Sequence, residues 1–519
     1  MRTKILGLLA YLMLMLAPSL AQDAGRMVIA ISVEPTSFDA HLTTSGGTIG
    51  YLGATLVARD PATDEIVPYL AESWTTSEDG LTWDFKLRED VIFHNGAPLT
   101  AEDYAWTFNR WLDPATQSPS VASVSAVMGA EAVDTYTLRL TLAIPFAPLL
   151  PNLTSGYAQP LNRQAVEEAG ENYGVQPVGV GPFRFKEWVP GERLVLERND
   201  AYNWGPAFVQ AGAPNLQEVE YRFITEYATL LAGLEAGEID TSFGDPINPR
   251  DLPVLEDLGF SFVDTFLGGM DPYVLMNVSA APFDDVRVRR AFNLAIDRST
   301  IIEVVTAGSA VPQFGPISRS VFGYDPAIET LAYGYDVAQA QALLAEAGYA
   351  DSDGDGIVEK DGQALALTML LTPNYATLAQ VLQAQYRAIG VQVDLQQGDL
   401  GMLFGAVVTG EYQLAIGFYN YNEADIMFIF YHSSSLGSLN VSQVNDPVLD
   451  DILLRTRTSI DPTERQQAVN EAQAYIVEQA YTVPLYTPRL VTLLSPRLQG
   501  IKIGSDGSNI WLNDVSLAP

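Results

Sequence analysis

Cysteine is absent from all 519 residues, and histidine occurs three times, at His41, His94 and His432. The first absence excludes disulfides, thiolate metal sites, cysteine nucleophiles and a lipidated N-terminal cysteine. The second argues against a multi-histidine metal centre. Positive charge is also scarce: 28 Lys+Arg stand against 63 Asp+Glu, a formal net charge of −35. Phosphate binding rests on Lys and Arg, so nucleic acid and anionic membrane surfaces are poor partners for this chain. With 48% hydrophobic, 10% aromatic and 18% charged residues, it is no disordered polyanion either. Its length is that of roughly three domains.

The one long apolar run lies at the start. Arg2 and Lys4 precede an uncharged stretch from Ile5 to Leu16, followed by Ala17-Pro18-Ser19-Leu20-Ala21, with small residues at the two positions a signal peptidase inspects. The run is short for a bilayer-spanning helix, which needs about 20 residues. Residues 1–21 are therefore expected to be a cleaved signal peptide and the mature chain to begin at Gln22, with a net charge of −37 once Arg2 and Lys4 are lost. Without a cysteine to lipidate, the expected location is free in the periplasm.

Downstream, strand and helix signals alternate. Met27–Val33 (MVIAISV) reads as a buried strand, stopped by Glu34-Pro35. Thr43–Thr48 (TTSGGT) is a polar, glycine-rich turn; its spacing fits neither dinucleotide nor P-loop patterns. Trp83–Val91 and Thr135–Leu142 alternate as half-exposed strands, and Thr100-Ala101-Glu102-Asp103 opens a helix with a hydroxyl cap and early acids. Gly179–Trp188 and Arg193–Arg198 form two strands about Pro190-Gly191. Helices are expected at Tyr227–Ala236, Val286–Ile302, Asp336–Glu346, Tyr375–Ile389 and Asp461–Gln479, and strands at Val391–Leu395, Val483–Tyr486 and Val491–Leu494. No period of 20–50 residues recurs, which excludes a solenoid. The reading is a mixed α/β protein.

Several segments, taken in order, resemble the extracellular solute-binding proteins of the oligopeptide/dipeptide/nickel type, which serve ABC importers. They are Leu70-Ala71-Glu72-Ser73-Trp74; Glu78–Trp83 with Phe85–Arg88; and Val91–Asp103 (VIFHNGAPLTAED). Gly179–Phe185 (GVGPFRF) follows, with Glu197-Arg198-Asn199 and Tyr202, then Gly237–Asp240 (GEID). Asn277, Pro282–Ala291 (PFDDVRVRRA) and Ala295-Ile296-Asp297 come next, and Asn445-Asp446-Pro447 with Asp450 and Val483–Tyr486 (VPLY) close the series. The resemblance implies a two-lobed α/β periplasmic-binding-protein fold with an extra subdomain in the first lobe and hinge crossovers between lobes. On that pattern residues 22–64, 180–268 and 485–519 form the first lobe, 65–179 the extra subdomain and 269–484 the second lobe, with crossovers near Thr265–Asn277 and Val483–Val491. It also implies a monomer that captures a peptide-like ligand for membrane permease subunits, without catalysis and without a cofactor.

By the same resemblance, ligand contacts fall in a loop of the first lobe, here Thr44, Ser45, Gly46, Gly47 and Thr48, and in a loop of the second, here Gly417–Asn422 (GFYNYN). Dipeptide binders typically carry Gly-Trp-x-x-Asp there, the aspartate pairing the peptide's α-amine. This chain has Phe418 for the tryptophan and Tyr421 for the aspartate; Asp425 supplies a carboxylate only if the loop is realigned. Tyr419 and Tyr421 instead suit stacking on an amide or a sugar, with Asn422 beside them, which leaves oligosaccharide as the alternative ligand. Equally, Phe418, Tyr419, Tyr421, Phe428, Phe430 and Tyr431 suit a plain aromatic core.

Three other features have a structural and a functional reading. His94, beside the Asn95-Gly96 turn, fits a structural hydrogen bond better than a general base. Arg287, Arg289 and Arg290 follow two aspartates and suit local ion pairs. Asp351, Asp353 and Asp355, interleaved with Ser352 and Gly354, resemble a calcium loop, but the twelfth position is Gly362 where a bidentate Glu is needed, so a solvated acidic turn is the plainer reading. An exported carboxylate hydrolase is the rival class; no Gly-x-Ser-x-Gly elbow and no His-Glu-x-x-His occurs.

Overall fold

The computed structural model describes residues 25–43, 50–243, 247–504, 507 and 509–518, the Asp271 side chain excepted. The expected signal peptide and the Thr44–Thr48 loop lie outside the described residues. Met27 to Ile31 are five successive buried residues, and such a run fits a strand covered on both faces. That strand, β1 (Arg26–Ile31), lies within a five-stranded sheet with β8 (Phe183–Val189), β9 (Arg193–Arg198), β10 (Glu218–Phe223) and β11 (Thr241–Ser242), in the order β11-β1-β10-β9-β8. It runs parallel to β10 and β11, and the hairpin of β8 and β9 completes one edge.

Between β1 and β8 the chain builds a hairpin, β2 (Val57–Arg59) and β3 (Ile66–Pro68). A four-stranded antiparallel sheet follows, ordered β4-β5-β7-β6, from β4 (Ala71–Thr76), β5 (Thr82–Leu87), β6 (Val127–Asp134) and β7 (Thr137–Leu142). Trp83, Phe85 and Leu87 of β5 point inward at every second position, as the alternation predicts. The helix Ala101–Leu112 covers this sheet and starts where expected: the Asp103 carboxylate accepts from the Thr100 backbone N–H and hydroxyl, both at 2.9 Å. The core of this subdomain does not stop at residues 65 and 179. Ala54, Leu56, Val57 and Ala58 from one side, and Tyr202 and Trp204 from the other, are buried in the same cluster.

Two crossings connect the lobes side by side. β12 (Ser261–Phe266) passes to β13 (Gly269–Met276), and β20 (Thr482–Pro484) passes to β21 (Tyr486–Leu494). β21 lies between β12 and β14 (Ala310–Pro312) in a three-stranded sheet. The second lobe is a five-stranded sheet, β18-β17-β19-β13-β20, in which β17 (Ala366–Leu371), β18 (Gln392–Gln397) and β19 (Leu414–Asn420) join β13 and β20. A small hairpin, β15 (Glu359–Lys360) and β16 (Gln363–Ala364), precedes it. Helices cover both faces, giving two apolar clusters.

Two local expectations are corrected. Val286–Ile302 is two helices, Val286–Leu294 and Arg298–Thr306, because Asp297 leaves the helical path and its side chain caps the Thr300 N–H at 3.2 Å. The closing strand runs unbroken from Tyr486 to Leu494 through Pro488, whose carbonyl accepts from Leu267 N–H at 3.2 Å. Local pairing also misjudged two arginines. Only Arg287 pairs with Asp285; Arg289 and Arg290 bond the carbonyls of Gln479 and Glu478, at the end of the helix Pro462–Gln479, where its dipole favours cations.

Candidate ligand cleft

A cavity of about 500 Å³ lies between the lobes, within the usual size of small-molecule sites. The first lobe supplies Gly50, Tyr51, Thr55 and Arg59, and the subdomain adds Tyr69, Asn152, Ser155, Tyr157 and Gln159. The C-terminal stretch returns to add Asn509, Trp511 and Asn513. The second lobe contributes Phe322 and the run Tyr421-Asn422-Glu423. The wall is thus chiefly amide, hydroxyl and aromatic, suited to a ligand with its own amides or hydroxyls.

The loop 421–424 is held from three sides. Tyr421 N–H donates to the Gly268 carbonyl at 3.3 Å, and Phe322 bridges it with Phe322 N–H to Asn422 O at 3.2 Å and Ala424 N–H to Phe322 O at 3.1 Å. The Tyr421 hydroxyl donates to Asn152 Oδ1 at 3.3 Å, across the lobes. Asn152 is fixed for this role because its Nδ2 donates to Ser123 O at 2.8 Å, which leaves the amide oxygen as acceptor. Burial, with Asp425 and Glu423 close by, pushes the Tyr421 phenol well above its usual range, so it stays a donor.

The sequence-expected contacts separate in space. Tyr421 and Asn422 line the cavity; Phe418 and Tyr419 do not. Along β19, Phe418 turns outward, 44% exposed, beside Tyr375 at 5.9 Å. Tyr419 packs edge-on against Phe430 at 5.0 Å, as part of the second lobe's core. The flat Tyr419–Tyr421 surface is therefore not assembled, because strand pleat sends neighbours to opposite faces and the chain leaves β19 at Asn420. Asp425 is buried behind the wall, its two oxygens taken by Arg457 at 2.6 and 2.8 Å. Glu423 reaches the cavity, but Arg465 holds one of its oxygens and Asp425 N–H donates to the other at 2.6 Å. Burial raises the Glu423 carboxyl while Arg465 opposes that shift.

Sequence reasoning missed Arg59, Phe322 and the 509–513 stretch. Only an amide- and tryptophan-bearing tail, Asn509-Ile510-Trp511-Leu512-Asn513, hinted at the last. His94 sits beneath the first lobe with Gly179 N–H donating to Nδ1 at 3.3 Å, so its Nε2–H donates to Gly181 O at 3.1 Å. Burial lowers it to about 4. It is a neutral structural group. Asp351, Asp353, Asp355 and Glu359 converge, with ligand atoms all within 4.8 Å of one another, on an exposed turn. Their oxygens already cap the turn: Asp351 accepts from Gly354 and Gly356, Asp353 from Asp355, and Asp355 from Ile357.

Two lobes joined by paired crossings, with a polar-aromatic cavity between them, define a solute-binding protein. The model of the bacterial extracellular solute-binding proteins, family 5, middle region, matches residues 65–438, and the chain belongs to that family. It is 29% identical over 456 residues to the glutathione-binding protein GsiB of Pectobacterium atrosepticum, covering 85% of this chain and 84% of that one. Among solved structures it resembles the ABC transporter-associated periplasmic binding protein DppA of Helicobacter pylori in complex with the peptide STSA. The TM-score is 0.75 at 27% identity, over 95% of this chain and 98% of that one. NikA of Brucella suis, in complex with Fe(III)-EDTA, superposes with a TM-score of 0.83 at 25% identity, over 95% and 100% of the two chains. No helix among the described residues is long and apolar enough to cross a membrane.

Proposed function

We propose that this protein binds a peptide-like small molecule in the interlobe cavity and hands it to the permease of an ABC importer, without transforming it. The observation that supports this best is the polar-aromatic wall shared by both lobes, in a chain whose relatives include glutathione and peptide binders by name. The same comparison makes oligosaccharide the weaker alternative. Tyr421 and Asn422 are the second-lobe contacts; Tyr51 and the preceding Thr44–Thr48 loop serve the first lobe. The protein works as a monomer in the periplasm after cleavage following Ala21.

Micromolar capture needs about −8 kcal/mol, and a buried aromatic anchor supplies a large share of such an energy. Mass spectrometry of the ligand retained through native purification tests the reading, with N-terminal sequencing on the same material expected to begin at Gln22. A retained peptide-like ligand whose Kd rises at least tenfold in Tyr421→Ala is expected. A retained sugar, or an unchanged Kd, would overturn the assignment.

A further inference from the structure

The amides of the cavity wall are unevenly committed. Asn152 donates to Ser123 O and accepts from the Tyr421 hydroxyl. Asn509 donates to Arg59 O at 2.9 Å and accepts from Trp511 Nε1 at 2.7 Å. Gln159 differs. It lines the cavity, is 4% exposed, and neither end of its side-chain amide has a hydrogen-bond partner among the described residues. The chain fixes it from both sides. Before it, the single turn Gly156–Ala158 closes with Ala158 N–H on Ser155 O at 2.9 Å. After it, Pro160 has a fixed φ and Leu161 N–H donates to Thr107 Oγ1 at 3.0 Å, on the helix Ala101–Leu112. Gly53, also in the wall, supplies the space: a Cβ there would strike Oε1 and Cδ of Gln159. Its φ is not positive, so the glycine serves here by its want of a side chain rather than by backbone freedom. A buried amide without a partner loses its water when a cleft fills, which is unfavourable unless the ligand brings both a donor and an acceptor. The acids nearby offer an amine no easy anchor, since Arg465 and the Asp425 N–H hold Glu423, and Arg457 holds Asp425.

We propose that Gln159 reads the main chain of the bound peptide, its amide oxygen accepting the N–H and its amide nitrogen donating to the C=O of one extended ligand residue. Those two groups of an extended residue point to the same side, as they do where antiparallel strands exchange both bonds. A side-chain amide presents the matching acceptor and donor together. The inference rests on the peptide reading above and deepens it: selection at this place acts on a main-chain amide, not on a charged terminus. Gln159 is then a specificity-determining residue, and Gly53 a positioning one.

The test uses the full mature chain and a pool of tripeptides screened by thermal shift. The best binder and its two ester analogues, each with one peptide N–H replaced by oxygen, are then measured by calorimetry. One ester should bind at least fivefold more weakly than the peptide. Gln159→Leu should bind the peptide at least fivefold more weakly and should treat that ester and the peptide alike, within twofold. Gly53→Ala, which pushes the amide aside without altering it, should do the same. Gln159→Glu keeps the shape and the acceptor but loses the donor, so it should weaken the peptide at least fivefold yet retain the ester penalty. It carries the test if the leucine variant does not fold. Both esters binding as well as the peptide would overturn the proposal while leaving the peptide reading intact. A folded Gln159→Leu that keeps the affinity or the full ester penalty, or a Gln159→Glu that binds the peptide unchanged, would overturn it in the same way. Binding of none of the tripeptides would remove the peptide reading and the proposal with it.

Discussion

Arg457 is the side chain whose loss the structure lets one compute best. It caps Asp425 with two charge-assisted hydrogen bonds at 2.6 and 2.8 Å, lies 3.7 Å over the Phe428 ring, and carries its charge close to Phe146 of the subdomain at 5.5 Å. Asp425 is 1% exposed. Arg457→Met keeps the aliphatic packing and strands the carboxylate. Breaking a buried pair in this way costs about 3–5 kcal/mol. The expected loss for Arg457→Met is therefore in that range. Asp425→Asn added to Arg457→Met should restore most of it, since an amide carries no charge to strand. Urea unfolding of the four proteins of this cycle at neutral pH measures each quantity. A loss below about 1 kcal/mol, or a double variant no better than Arg457→Met, would refute the reasoning.

Two further outcomes follow from the buried histidines and the hinge. Folded His41 and His94 are lowered to about 3 and about 4, chiefly by burial, so they stay neutral where the unfolded chain begins to protonate near 6.5. Stability should then fall as pH drops through 6 to 5, by up to about 1.4 kcal/mol per unit for each histidine. His94→Gln should remove about half of that slope in urea titrations; an unaltered slope would show that His94 does not contribute. At the crossover, Gly269 has φ of +137°, and a Cβ there would run into the Tyr419 carbonyl. Gly269→Ala should cost about 1–3 kcal/mol and weaken ligand binding through displacement of residues 419–422, while Gly354→Ala on the exposed turn should leave the affinity unchanged. Equal affinities for Gly269→Ala and the unaltered protein would contradict this link.

What could be read in the sequence was local. The apolar run of β1, the alternation of β5 and the Thr100–Asp103 box each act over a few residues and override nothing, so they fold as written. The order of short motifs carried the architecture only through its resemblance to a known family, since neither composition nor periodicity joins one segment to the next. The break at Asp297 escaped because apolar periodicity runs through Ala295-Ile296 and no glycine or proline interrupts it. At the cleft the failures share one cause. Whether Asp425 faces a ligand depends on Arg457, 32 residues away, and whether Tyr419 does depends on Phe430. Arg59 and Trp511 lie on one wall though 452 positions apart in sequence. Nothing in the spacing of either residue announces the other.

One short segment of the cavity wall also touches groups on both sides of the cleft. Residues 421–424 touch the cavity, the crossover strand through Gly268, the Phe322 bridge, and the first lobe through Asn152. A ligand seated on Tyr421 therefore presses on groups that also set the distance between lobes. If the lobes open, the 3.3 Å bond from Tyr421 to Asn152 and the Arg59–Phe322 contact are lost together, whereas the Asp425–Arg457 and Glu423–Arg465 pairs, wholly inside the second lobe, are kept. The internal pairs thus hold the 421–424 loop in one shape whether the lobes are apart or together. The cross-lobe contacts, among them also the Ala147 N–H to Arg457 carbonyl bond at 2.7 Å and the Arg457–Phe146 contact, are individually weak, each on the order of 1 kcal/mol, so a ligand that adds its own contacts to both walls shifts the balance toward the closed form. A carrier that must also release its cargo needs that division: rigid where it recognises, weakly joined where it moves.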